Sequence, residues 1–253
     1  PVGIVDADTL MYVSGSIVPS MATGEMNELR ARDARKPSLS MSGYSYFTRE
    51  PALVQAELAT GALNCDAAFK NEHLLQWNNA SSASLAMSDL SVFSDSFTLE
   101  FWFGGESFEK MSSNPDAGTN IYFADLPGVF YFRQNKLNGT VSINLSGAEA
   151  PVQRNMIDGR LHHYAAVWDK PSKTLTAYVD HVLFMSKTLD SDPVPTGALR
   201  FGATARWGGA SGVLYWLKNG WLDEVRLTSR VLGAEEMLSR GAVGAASSET
   251  IAY

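Results

Sequence analysis

One cysteine, four histidines and no apolar run of membrane-spanning length set the first limits on this 253-residue chain. Cys65 stands alone, so no intramolecular disulfide can form, and a buried free thiol is its expected state. So few cysteines and histidines do not supply a Cys/His zinc cluster. No stretch approaches the ~20 apolar residues that a membrane helix needs, so no direct membrane span is expected. The chain opens on Pro1-Val-Gly3 with no signal peptide, which fits a processed or truncated protein and does not establish a cytoplasmic location. Lysine and arginine are scattered and the formal net charge is −7, which argues against a basic groove for nucleic acid.

What is present is apolar and aromatic mass, 45% and 11% of residues respectively, enough for a sizeable core. Its spacing has a period of two. In Ser96-Phe-Thr-Leu-Glu-Phe-Trp-Phe103, Phe97, Leu99, Phe101 and Phe103 share one face, and Thr98, Glu100 and Trp102 the other. In Leu161-His-His-Tyr-Ala-Ala-Val-Trp168, His163, Ala165 and Val167 oppose His162, Tyr164, Ala166 and Trp168. Asp169-Lys-Pro-Ser-Lys173 reads as a turn, with Thr174 to Phe184 as the returning strand. Further strands are expected near residues 10–12, 67–69, 74–77, 84–87, 120–123, 129–133, 140–145, 199–202, 214–216 and 220–227. Glu25 to Arg32 reads as a short helix, and Ser38 to Phe47 as a weak strand or wrapping loop. Ala234-Glu-Glu-Met-Leu-Ser-Arg240, closed by Gly241, reads as a short C-terminal helix. The expected class is all-β: an antiparallel β-sandwich or jellyroll with that one helix.

Four pieces carry a resemblance: Phe97-Thr-Leu-Glu-Phe-Trp102, Leu161-His-His-Tyr-Ala-Ala-Val-Trp-Asp169, Thr174-Leu-Thr-Ala-Tyr-Val-Asp180 and Trp221-Leu-Asp-Glu-Val-Arg-Leu227, the last running on to Arg230-Val-Leu-Gly-Ala-Glu-Glu236. In this order and spacing they resemble the laminin-G-like jellyroll domains of the concanavalin-A-like lectin/glucanase superfamily. Ala7 to Tyr12 is similar to the first strand of such modules. Leu161 stands where the family usually has Trp, and His181 where it often has Gly, so a changed turn is expected after Asp180. The resemblance covers roughly residues 65–240. It implies a single domain over 1–253, with 1–65 as an early edge strand and irregular wrapping segment, and 241–253 as a linker or tail.

The candidate chemistry is sparse. Alternation puts His162 and His163 on opposite faces, so they cannot hold one metal as strand neighbours. Both are assigned to the framework, together with Glu100, Asp180 and Asp223; Glu100, if buried, needs hydrogen bonds or a positive partner. The superfamily's glucanase branch resembles a Glu-x-Asp-x-x-Glu strand, which is absent here, so hydrolysis is not expected. Calcium is the one cofactor that hard loop oxygens suit, with Asp116, Asp125, Asp190 and Asp192 as candidates. Among the tryptophans, Trp207 in Arg206-Trp-Gly-Gly209 is the least tied to a strand; Trp207 and Arg206 are the expected ligand contacts. Asn79, Asn138 and Asn144 head glycosylation triplets. The resemblance implies a secreted or cell-surface, non-catalytic module that binds carbohydrate or an extracellular protein beside neighbouring domains of a larger chain. A structural interdomain module and a divergent glycoside hydrolase are the alternatives.

Overall fold

The computed structural model describes residues 9–13, 28–30, 38–42, 45–49, 73–77, 84–87, 90–105, 120–135, 140–204, 215–216 and 220–238. Eighteen strands lie in these residues. In chain order they are β1 (Thr9–Val13), β2 (Glu28–Arg30), β3 (Ser38–Ser42), β4 (Ser45–Arg49), β5 (His73–Trp77), β6 (Ser84–Met87), β7 (Phe97–Gly105), β8 (Asn120–Leu126) and β9 (Phe130–Asn135). There follow β10 (Thr140–Leu145), β11 (Ala148–Asn155), β12 (Leu161–Asp169), β13 (Thr174–Val179), β14 (Val182–Thr188), β15 (Leu199–Phe201), β16 (Ala203–Thr204), β17 (Tyr215–Trp216) and β18 (Gly220–Thr228).

The alternation of β7 sets the layers. Phe97, Leu99, Phe101 and Phe103 are fully buried and face inward. β7 lies at the centre of the first sheet, ordered β14-β13-β12-β7-β18-β5-β4, with β1 also paired to β18. The second sheet runs β11-β10-β9-β8-β15-β6-β3-β2. Every pairing between these strands is antiparallel. The core lies between the sheets: Phe101 stacks on Tyr164 of the same sheet at 5.5 Å and meets Phe132 of the other edge-on at 5.6 Å, while Phe103 stacks on Phe123 at 4.3 Å. Each such ring is worth about 1.5–3 kcal/mol when fully buried. At one margin Lys187 Nζ on β14 donates to the Ser146 carbonyl at 2.6 Å and ties the edge of the first sheet to a turn of the second. A two-stranded ribbon, β16–β17, lies beside β8; within it Thr204 donates to the buried Asp125 carboxylate at 2.5 Å.

Two irregularities aim side chains. On β18 the register to β7 slips between Asp223 and Arg226, and Glu224 takes a positive φ of 49°. The extra residue is a bulge. It lets Leu222 and Val225 both reach the core and brings Arg226 opposite Glu100. After Val179 the chain turns back in two residues, Asp180 and His181, both at positive φ (49° and 64°), and Val179 pairs directly with Val182. Right-twisted hairpins favour this turn geometry.

Several expectations are corrected. The C-terminal helix does not form. Residues 234–236 make one turn, in which the Glu236 N–H donates to the Gly233 carbonyl at 3.0 Å. A helix would send the Leu238 N–H back to Ala234; instead it donates to Glu100 at 2.6 Å. The helix expected at 25–32 is replaced over Glu28–Arg30 by β2, paired with β3, and the stretch 38–47 holds both β3 and β4. The strand expected from Thr174 to Phe184 is two strands, parted at Asp180. β11 had no strand expectation, because its Pro151, Gln153, Arg154 and Asn155 break any apolar rhythm.

Candidate functional site

The two sheets differ on their outer faces. On the first sheet, Thr98, Glu100 and Trp102 of β7 lie beside Val167, Ala165 and His163 of β12, all buried. Residues 230–238 lie across them as a strap. Leu232 and Met237 pack on Ala165, Val167 and the half-buried Tyr178. Thr98 Oγ1 donates to the Arg230 carbonyl at 2.8 Å and accepts the Leu232 N–H at 3.0 Å. Glu236 accepts from the Gly233 N–H and from Arg230, which closes the strap on itself.

Glu100 is fully buried under this strap. It accepts from Arg226 Nε at 2.7 Å, from His163 Nε2 at 3.0 Å and from the Leu238 N–H at 2.6 Å. Arg226 Nη2 also donates to the Glu236 carbonyl at 2.8 Å. Burial opposes the carboxylate's charge, but the His163 bond and the Arg226 guanidinium outweigh it and hold the carboxyl below its usual range. A charge so enclosed binds no external ligand; it fixes the strap.

At the end of β12, His162 bridges two carboxylates, Nδ1 to Asp180 at 2.9 Å and Nε2 to Asp158 at 3.1 Å. Burial opposes its protonation, yet Asp180 and Asp158 raise its pKa. The second Asp180 oxygen accepts the His163 N–H at 2.9 Å, so one carboxylate locks the turn to the strand.

The outer face of the second sheet is polar across five strands. Register aligns Glu149 (β11), Asn144 (β10), Tyr131 (β9), Asp125 (β8) and Arg200 (β15) in one row. Arg133 stands in the next row between Ser142 and Tyr122. The row is buried at Asp125, beside the β16–β17 ribbon, and opens toward Glu149 at the edge. Tyr131 donates to Glu149 Oε2 at 2.7 Å, and Arg133 donates to Oε1 through Nε at 3.1 Å and Nη2 at 2.6 Å. The Arg133 guanidinium lies 5.2 Å from the Tyr131 ring centre, and the two tyrosines, Tyr122 and Tyr131, meet at 66°. Burial favours protonated Glu149, but the Tyr131 and Arg133 bonds win and lower its pKa. An arginine and a carboxylate, partly open to water beside two buried tyrosines, form a surface that can donate to and accept from a hydroxylated ligand.

A family model described as the concanavalin A-like lectin/glucanases superfamily matches residues 78–237, well over half the chain. The chain belongs to that superfamily, in its laminin-G branch. The match runs into the strap, so the strap is part of this lectin-like domain. Solved structures with the same fold include the binding domain of botulinum neurotoxin DC in complex with SialylT (TM-score 0.54, 7% identity, 92% of this chain and 50% of that chain). They also include the serotype C1 binding domain (TM-score 0.55, 7% identity, 90% and 50%). This lectin-like chain thus spans about half the length of the toxin binding domains it matches. No curated protein matches its sequence.

The residues expected at the site scatter over this lectin-like sandwich. Glu100, His163 and Arg226 come together, as does His162 with Asp180; of these, Arg226 had not been assigned a role. Asp223 lies on β18 in register with Trp102. Arg206, Trp207 and Asp116 lie outside the described residues, as does Cys65. Asp125 is buried against Thr204. Asp190 and Asp192 are exposed in the loop after β14, where the Asp190 carbonyl accepts from Lys173 at 3.1 Å and Asp192 faces Lys170 Nζ at 3.8 Å. No cluster of three or more metal-ligating side chains occurs among the described residues. Asn144 is buried and its side chain caps the Gly147 N–H at 3.0 Å, which leaves no room for a glycan. Sequence reasoning also passed over Tyr131, Arg133 and Glu149. The only signal was the Tyr-x-Arg spacing on β9, which puts both on one face.

Proposed function

We propose that this chain is a non-catalytic extracellular binding module whose ligand is carbohydrate, held on the outer face of the second sheet. The observation that carries this reading is the contrast between faces: the first is closed by its strap, while the second leaves Arg133 and Glu149 partly open to solvent beside the buried Tyr131. An arginine–carboxylate pair offers the paired donors and acceptors that sugar hydroxyls require. Trp207, expected from sequence to be a stacking residue, follows β16 along the chain and is a second contact in this proposal. Toxin binding domains of the same fold include one in complex with SialylT and one from a toxin whose cell entry depends on two ganglioside molecules. At such low identity the likeness carries fold alone, so the sugar reading rests on the patch.

The described carboxylates do not suit hydrolysis. Glu100 is buried and neutralised by Arg226, and Glu149 is engaged by Arg133 and Tyr131; a retaining glycosidase needs two carboxyls converging at about 5–5.5 Å on its substrate. A structural role between domains is the second reading, favoured by the exposed Val182 and Leu183 (68% and 58%) on edge strand β14. Glycan-array binding separates the two. Binding that falls at least tenfold in both Arg133→Ala and Trp207→Ala supports the sugar reading. Silence on broad glycan and matrix panels rejects it and leaves the interdomain role.

A further inference from the structure

Under the strap, two imidazoles have hydrogen-bonding capacity that the framework does not use. His163 is fully buried and spends Nε2 on Glu100, while its Nδ1 has no hydrogen-bond partner. His181 stacks on it, ring centres 4.2 Å apart and planes 7° from parallel, and His181 Nε2 is likewise buried without a partner. The Trp102 ring flanks both, at 5.2 Å from His163 and 5.9 Å from His181. The Ala234 backbone of the strap lies within hydrogen-bonding reach of the His181 ring. The pair therefore joins three elements: β12, the turn after β13, and the strap.

We propose that the His163–His181 stack is an acid-released latch, which holds residues 230–238 on the first sheet while His181 is neutral and lets them go when His181 is protonated.

The surroundings supply the reason. Glu100 faces the stack from β7, but its charge is already balanced by Arg226 from β18. Asp180, beside His181 in the turn, has its two oxygens engaged by the His162 ring and the His163 N–H. From the strap comes the Ala234 backbone, while the Glu236 carboxylate is turned away to Arg230 and the Gly233 N–H. Asp223 stands on β18 in register with Trp102. A proton on His181 thus adds a positive charge, flat against a second imidazole, in a site whose nearest carboxylates are engaged elsewhere. Lifting the strap brings water to that charge. It gives up the Leu238 bond to Glu100 and the Glu236 bond to Arg226. Burial and then His163 push the His181 pKa below its ordinary 6.5 and outweigh Glu100, Asp180 and the Ala234 backbone, which favour the protonated ring; the net direction agrees. His162, on the other side of the turn, is shifted upward by its carboxylates, so acid does not loosen the hairpin through that residue.

A depressed folded-state pKa means that closure is fully favoured above the ordinary value and weakens as pH falls through it. If His181 stays neutral in the closed form, strap opening rises by at most about 30-fold between pH 7.5 and 5.0. Hydrogen exchange on the full chain, corrected for intrinsic rates, reads this directly. Strap amides, with Leu232 and Leu238 as reporters, are expected to lose about tenfold protection over that range while residues 161–188 keep theirs. His181→Asn retains a residue that tolerates positive φ and removes the titration, so its strap protection is expected to stay flat. In the wild type, the His181 ring resonances must titrate over the same pH range as the strap. Flat exchange in the wild type overturns the proposal, and so does an acid response that persists unchanged in His181→Asn. Loss of protection in the hairpin together with the strap overturns it as well. Should His181→Asn fail to fold, a ring titration that does not track strap exchange overturns it on its own.

Discussion

The two outer faces of this sandwich bury charge in opposite ways. On the first sheet, a carboxylate, a guanidinium and an imidazole are sealed beneath a strap, and each donor or acceptor they spend holds the fold. On the second, an arginine, a carboxylate and a tyrosine engage one another at a half-open surface. The chemistry of the two sets is nearly the same. What separates them is solvent: where water is excluded, charged partners become costly to part, and where it is present, they can exchange for a ligand. The same residue types thus serve as framework on one face and as a binding surface on the other.

That contrast can be broken at the sealed face first. Arg226→Ala leaves the Glu100 charge buried without its cation, and a loss of about 3–5 kcal/mol is expected in urea unfolding. A loss under ~1 kcal/mol would show that the face is wetter than its burial implies. Thr98→Val removes one hydroxyl that serves both the Arg230 carbonyl and the Leu232 N–H; a loss of about 1–2 kcal/mol is expected, with faster exchange confined to the strap. His162 sharpens the comparison through pH. Its raised pKa means that its contribution is full below about 6.5 and fades as pH rises through the folded value. Wild-type stability relative to His162→Gln is therefore expected to fall between pH 6 and pH 9, by under about 1 kcal/mol, measured as a difference in melting temperature. The smallest effect on stability belongs to the open face. Arg133→Ala is expected to cost under ~1 kcal/mol, because its partner Glu149 can rehydrate, while glycan binding falls at least tenfold.

Alternation made the sandwich legible where strands are regular. Phe97, Leu99, Phe101 and Phe103 declared the inner face of β7, and Tyr164, Ala166 and Trp168 that of β12. It could not declare that the other faces of the same strands are buried too, because the strap that covers them arrives more than 60 residues after β12 ends. The helix expected there followed the propensity of Glu235 and Glu236. It failed because Leu232 and Met237 pack on one surface and the Leu238 N–H has a buried carboxylate to meet. Glu100 was recognised as needing a cation, but its partner lies 126 residues away and is aimed by a bulge that leaves no mark in hydrophobic rhythm. The turn at Asp180 and His181 keeps the two-residue, positive-φ geometry of ordinary hairpins, with His181 in a place that suits glycine. The open-face cluster was hidden because Tyr131, Arg133 and Glu149 read separately as ordinary strand residues until the register of three strands joined them.

The bulge at Glu224 has a consequence for how this chain can vary. A strand counts its residues in twos, and β18 carries one residue that changes odd to even midway along its length. Pairing it regularly with Phe101 would swap the destinations of everything beyond: Arg226 would fall opposite Leu99 and turn inward, and Leu227 opposite Thr98 and turn toward the strap. A one-residue deletion at the bulge, by contrast, is a local shortening: it sets Val225 opposite Phe101 and leaves Arg226 opposite Glu100. Glycine or asparagine at position 224 suits its left-handed backbone, whereas a β-branched residue there is expected to strain it.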